Sequence, residues 1–146
     1  SGTENVPGIA ALGKACELAG KKLETSKKLE KLRDKLFFDL LKIKGARING
    51  SMKERIFTNV NLSFKDVEGE ALVLLLDKEG IACSTGSACS SHSLEPSHVL
   101  RAIGLDDEEA HGSLRLSLGW QNTPEDIDYA IEKIQLSVEK LRGITG

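Results

Sequence analysis

The apolar residues of this chain change period along its length, and that change limits the folds open to it. In residues 56–64, Ile56, Thr58, Val60, Leu62 and Phe64 alternate with Phe57, Asn59, Asn61 and Ser63. Residues 113–118 set Leu114, Leu116 and Leu118 against Ser113, Arg115 and Ser117. A period of two puts alternate side chains on opposite faces of a strand, so both runs predict half-buried strands with one apolar and one polar face. Elsewhere the spacing is three and four. Ile9, Leu12, Cys16, Ala19 and Leu23, followed by Leu29, Leu32, Leu36, Leu40 and Ile43, predict one long amphipathic helix over about residues 7–43. Asn5 and Pro7 supply its start, and Lys42, Lys44 and Gly45 its stop. A helix of that length exceeds the usual globular element and suits a bridge between domains.

The remaining elements follow from the same signals. Residues 68–78 carry a continuous apolar run from Ala71 to Leu76 before Gly80, predicting a largely buried helix with a glycine stop. A short strand is expected over 81–84, a short helix over 96–103, an acidic connector over 105–112, and a final helix from Thr123 to Gly143 with the stripe Ile127, Ile131, Ile134, Val138 and Leu141. The expected fold class is α+β: a long N-terminal helix and a small sheet of about three to four strands, with helices packed mainly on one face. The chain has 146 residues, 40% apolar and 29% charged, which suits one domain with its own core.

Charge and hydropathy remove several functions. Twenty basic against 22 acidic side chains give a net charge of −2, so nucleic acid is not an expected partner. No apolar run reaches the roughly eighteen residues of a membrane span, and no basic-then-apolar signal opens the chain, so a soluble, cytoplasmic protein without membrane contact is expected. The three cysteines, at 16, 83 and 89, are odd in number and lack C-x-x-C spacing, which favours reduced thiols over a disulfide scaffold.

Cys89 stands apart from the other two. It lies in Ser84-Thr85-Gly86-Ser87-Ala88-Cys89-Ser90-Ser91-His92, among small hydroxyl-bearing residues rather than bulky apolar ones. Glycine and serine let a backbone reposition, so a thiol here can move between a reaction centre and an acceptor. His92 and His98 are near enough in sequence to lower its pKa or relay a proton, though such histidines are more often ordinary loop or helix-surface residues. Cys83, in an expected strand, and Cys16, on the helical stripe, are expected in the core. Arg115, on a rigid strand between two serines, can grip a carboxylate or phosphate with two prongs, or simply face water. Cys83, Cys89, His92 and His98 together can be read as metal ligands, but their spacings of six, three and six fit no compact zinc knuckle, so no metal is assigned. A serine-hydrolase frame around Ser87 is absent.

The residues resemble a known family. Residues 84–89, with Ser93-Leu94-Glu95-Pro96-Ser97-His98-Val99-Leu100-Arg101-Ala102 and Ser113-Leu114-Arg115-Leu116-Ser117-Leu118-Gly119, are similar to the long-loop cysteine desulfurases of the class V aminotransferase superfamily. Ser1-Gly2-Thr3-Glu4-Asn5-Val6-Pro7-Gly8 and Val67-Glu68-Gly69-Glu70-Ala71-Leu72 match as well, so the resemblance covers nearly the whole chain. It implies that residues 1–146 form one C-terminal small domain of the pyridoxal-phosphate-dependent transferase fold, with 1–45 as interdomain linker and long helix and 84–97 as the catalytic loop. By the same resemblance Cys89 is the nucleophile that takes sulfur from L-cysteine as a persulfide, leaving L-alanine. Arg115 holds the substrate carboxylate, and Thr3 contacts the cofactor phosphate across a homodimer interface. No role is assigned to His111.

The resemblance also implies what is missing. The family's Schiff-base lysine sits in a Ser-x-His-Lys context that no lysine here has; Lys14, Lys21, Lys22, Lys27, Lys28, Lys31 and Lys35 lie on an expected solvated helix face. The large cofactor-binding domain is therefore expected to be absent, the isolated chain inactive, and pyridoxal phosphate bound only by a longer parent. The start within a motif, without methionine, fits an interrupted longer chain. The parent is expected to pass sulfur to an acceptor scaffold for iron-sulfur clusters or other thio-cofactors. Two alternatives remain: selenocysteine cleavage, and a stand-alone sulfur-carrying or scaffold-binding module.

Overall fold

In the computed structural model, which describes residues 2–23, 26–86 and 96–145, six helices surround a three-stranded sheet among the described residues. The helices are α1 (Val6–Lys22), α2 (Ser26–Leu40), α3 (Gly69–Lys78), α4 (His98–Ala102), α5 (Asp107–His111) and α6 (Pro124–Thr145). The strands are β1 (Ala46–Ile48), β2 (Asn59–Phe64) and β3 (Ser113–Ser117), antiparallel in the order β1-β2-β3. The α+β expectation holds. None of these helices is long and apolar enough to cross a membrane.

The alternation in the sequence sets the two faces of the sheet. Val60, Leu62 and Phe64 of β2 and Leu114 and Leu116 of β3, with Leu118 just beyond, face α2, α3 and α6 and are buried. Leu32, Leu36, Phe37 and Leu40 of α2, Leu72 and Leu76 of α3, and Ile127, Ile134 and Val138 of α6 close the core over them. Burial of this apolar surface is the main favourable term in holding the domain together. The other sheet face carries Asn59, Asn61, Ser63, Ser113, Arg115 and Ser117.

Local signals explain the helix ends. The Thr123 hydroxyl accepts from the Asp126 N–H at 3.2 Å while the Asp126 carboxylate accepts from the Thr123 N–H at 2.9 Å, and Pro124 fills the first helical position of α6. Glu68 caps α3 by accepting from the backbone N–H groups of Glu70 and Ala71 at 3.0 and 2.6 Å.

Four sequence expectations change. The single helix over about 7–43 is two helices, α1 and α2, with Leu23 as the C-cap of α1. The expected stripe of α1 is not buried among the described residues: Ile9, Leu12 and Leu23 are all more than 60% exposed, and Cys16, expected in the core, is exposed too. Residues 105–112 contain α5, held by a capping box in which Asp106 and Glu109 satisfy each other's backbone N–H groups. The strand expected over 81–84 is reduced to one bridge at Ser84, and β1 forms where no strand was read.

Candidate active site

The polar face of the sheet is organised by hydrogen-bond parity. Leu118 donates to the Thr58 carbonyl at 2.8 Å and Phe64 to the Gly112 carbonyl at 2.9 Å, so the even positions of β2 sit in hydrogen-bonded pairs. Asn61 and Arg115, partners in the register, therefore occupy a non-hydrogen-bonded pair, the kind in which side chains approach most closely. Their outward backbone groups bind further residues. The Asn49 N–H donates to the Asn61 carbonyl at 3.0 Å. The Ser84 N–H donates to the Arg115 carbonyl at 3.1 Å, and the Arg115 N–H to the Ser84 carbonyl at 2.6 Å. The result is a row across the sheet, Asn49, Asn61, Arg115 and Ser84.

Side-chain bonds hold the row on one flank. Asn49, only 3% exposed, donates from Nδ2 to Asn61 Oδ1 at 2.6 Å and to Ser63 Oγ at 2.9 Å. Arg55 donates from Nε to the Ser51 carbonyl at 3.0 Å, from Nη1 to Asn59 Oδ1 at 3.1 Å, and from Nη2 to the Asn49 carbonyl. Its guanidinium also lies 4.7 Å from the centroid of the Phe37 ring. Burial, with the nearby Arg33 charge adding to it, pulls the Arg55 pKa below its ordinary value. With its donors committed in this way, Arg55 braces the wall.

On the other flank, Ser84 Oγ donates to the Gly86 carbonyl at 2.9 Å and Ser113 Oγ donates to the Thr85 carbonyl at 2.6 Å. These bonds fasten residues 84–86 beside Arg115. A cavity of about 510 Å³ opens in front of the row, walled by Asn59, Asn61, Arg115, Thr85, Gly86 and Ser97, with Val99, Leu100 and Ile103 as its apolar side. Arg115 is half-buried in that wall, and its guanidinium has no hydrogen bond or ion pair among the described residues. A partly desolvated, unpaired guanidinium on a rigid strand is suited to binding a carboxylate. The described residues on both sides of 87–95 line the same cavity.

The residues singled out in the sequence fare differently. Arg115 is in the cavity. Cys89 and His92 lie outside the described residues. Thr3 precedes α1, is exposed, and is not part of the cavity wall. His98 opens α4 and is exposed; His111 ends α5 and lines a separate groove with Arg47, Glu68 and Glu108. Cys83 packs half-buried against the core, and burial, with the Asp77 charge adding to it, pushes its thiol up to about 11. It is therefore no nucleophile at neutral pH. Among the described residues no three His, Cys, Asp or Glu side chains are grouped to hold a metal. Sequence reading missed Asn49, Arg55 and Asn61 as site residues. The signal for Asn61 was present, since it alternates with Val60 and Leu62 as Arg115 does with Leu114 and Leu116.

The chain is similar to known proteins over nearly its whole length. The aminotransferase class-V family matches residues 1–130. The chain is 55% identical to cysteine desulfurase IscS of Methanosarcina thermophila and 49% identical to cysteine desulfurase IscS 1 of Archaeoglobus fulgidus. Each alignment covers 99% of this chain but only 36% and 38% of those relatives, so the chain spans little more than a third of their length. Among solved structures, a NifS-like protein superposes with a TM-score of 0.83 at 36% identity over 96% of this chain and 35% of its own. A NifS-like protein from Rickettsia africae ESF-5 gives 0.82 at 29% identity over 95% and 36%.

Proposed function

Since this chain belongs to the aminotransferase class-V family, we propose that it is the C-terminal small domain of a pyridoxal-phosphate-dependent cysteine desulfurase. The observation that carries this reading is the half-buried Arg115, its guanidinium without a partner among the described residues, facing a cavity whose wall is also built from the residues on either side of 87–95. In this reading Arg115 binds the carboxylate of L-cysteine and so fixes the amino acid's orientation, while the apolar side formed by Val99, Leu100 and Ile103 excludes water from part of the cavity. The names of the relatives as cysteine desulfurases support the choice of substrate.

Cys89 is the sulfur acceptor. Its thiolate attacks the substrate sulfur, the substrate's carbon–sulfur bond breaks, and a Cys89 persulfide and L-alanine result, with the thiol proton accounting for the hydrogen gained by alanine. The persulfide then passes to an acceptor protein for iron-sulfur cluster or other thio-cofactor assembly in the cytoplasm.

The cofactor, when bound, supplies the electron sink that loosens the carbon–sulfur bond. The cavity does not fit it by itself: no lysine is among the residues that line it, so no amine there meets the cofactor's aldehyde. The aldehyde and ring contacts accordingly belong to the large domain of the longer enzyme, with Thr3 reaching the phosphate of a partner subunit in a homodimer.

The test is sulfide release from L-cysteine by the full-length enzyme carrying this chain, loaded with cofactor. Sulfide release that disappears in Cys89→Ser supports the reading; release unchanged by that substitution refutes the role of Cys89.

A further inference from the structure

The Asn61 carboxamide has one end occupied and one end open. Its Oδ1 accepts from Asn49 Nδ2 at 2.6 Å, and Asn49 is itself buried and shared with Ser63. With Asn49 Nδ2 as the donor to both Asn61 Oδ1 and Ser63 Oγ, the Asn61 amide faces one way only, because turning it alone would set two NH2 groups against each other. The Asn61 NH2 is consequently the end left over. It has no partner among the described residues, and Asn61 lines the cavity beside Arg115. The two side chains sit on one sheet face in a non-hydrogen-bonded pair, where opposed Cα atoms are about 4.5 Å apart.

We propose that Asn61 is a second donor to the substrate carboxylate, its NH2 working beside the Arg115 guanidinium, with Asn49 as the residue that positions it. This rests on the reading of the cavity as the carboxylate site. A carboxylate has two oxygens and about four lone-pair sites, more than a guanidinium on one side satisfies, and a row of neutral and charged donors meets it without adding a second buried cation. The same row discriminates. A primary amide in place of the carboxylate offers one acceptor and turns its own NH2 toward these donors, so it is rejected through an unmade bond and a donor–donor clash.

The experiment compares L-cysteine with L-cysteinamide in the full-length, cofactor-loaded enzyme, taking the ratio of their kcat/KM values in wild type, Asn61→Ala and Arg115→Ala. Loss of one hydrogen bond to a charged group should cut the ratio in Asn61→Ala by about tenfold. A merely structural role would weaken both substrates alike and leave the ratio unchanged. A ratio that stays put in Asn61→Ala yet falls in Arg115→Ala overturns the role of Asn61 alone. A ratio unmoved in both overturns the carboxylate site as well. Should Asn61→Ala fail to fold, Asn61→Thr, whose β-branched side chain suits a strand but cannot reach as far, gives the same comparison.

Discussion

Ser84 and Arg115 form an isolated antiparallel bridge, each donating its backbone N–H to the other's carbonyl, at 3.1 and 2.6 Å. Through this bridge the last described residues before 87–95 are fastened to the strand residue whose guanidinium lines the cavity without a partner among the described residues. Residues 84–86, which lead in sequence to Cys89, are thus held against the strand that carries the proposed substrate anchor.

Arg115→Ala in the full-length enzyme should raise KM for L-cysteine by roughly ten- to a hundredfold, the size of a lost hydrogen bond to a charged group. Arg115→Lys should recover only part of this, because an ammonium lacks the planar fork. Steady-state sulfide release across a range of L-cysteine concentrations measures both, and an unchanged KM in Arg115→Ala would remove the arginine from the site.

Gly69→Ala should destabilise the domain by about 1–3 kcal/mol, as overpacking does. A Cβ at Gly69 would lie 2.6 Å from the His111 carbonyl oxygen and 2.8 Å from that of Ser113, both backbone atoms, and 2.9 Å from Thr85 Cγ2. Urea unfolding of the 146-residue chain reads the loss. Because the contact joins the start of α3 to the residues leading into β3, the same change should disturb Thr85 at the cavity wall.

Leu62→Ala should cost about 2–5 kcal/mol, the range for a fully buried leucine truncated in a core. Leu62 is 0% exposed and lies beneath α2, α3 and α6 on the apolar face of β2. Its neighbour Asn61, on the opposite face, should tolerate truncation with a much smaller loss of stability, and urea unfolding of the two variants compares them directly.

The two described cysteines should separate by alkylation rate. Cys16, exposed on α1, should react with iodoacetamide at neutral pH, whereas Cys83 should react only as pH climbs toward its pKa of about 11. Stability carries the same signature. The folded state holds the Cys83 proton above the thiol's ordinary 9.0, so its contribution is fully present below pH 9 and is lost as pH rises toward about 11. Mass spectrometry after timed labelling, and unfolding curves over that interval, give the two readings.

Hydrogen exchange should divide the helices. Helix α1 buries no side chain, while α6 packs on α2 and α3 through Ile127, Ile134 and Val138. Most of a helix's stability in a protein comes from packing its apolar face, which α1 does not do among the described residues, so its amides should exchange far faster than those of α6 in the 146-residue chain. Equal protection would mean that something covers the α1 face.

The sequence by itself determined the two sheet faces, the helices packed on one of them, and Arg115 as a candidate anchor. Those follow from short-range chemistry, namely a period of two or 3.6 and the caps at helix ends, which act within a few residues of their cause. It misjudged where local pattern and long-range packing part. The stripe of α1 is as regular as that of α2, yet only α2 meets the sheet, and periodicity records which residues share a face without recording what lies against it. Tertiary structure alone decided that Asn61 stands opposite Arg115, that Asn49 occupies one end of its amide, and that Arg55 braces Asn59. These are register and contact relations between residues up to 54 positions apart in the chain, as for Asn61 and Arg115. Register comes from how buried faces and turns fit together in three dimensions, which no local pattern specifies.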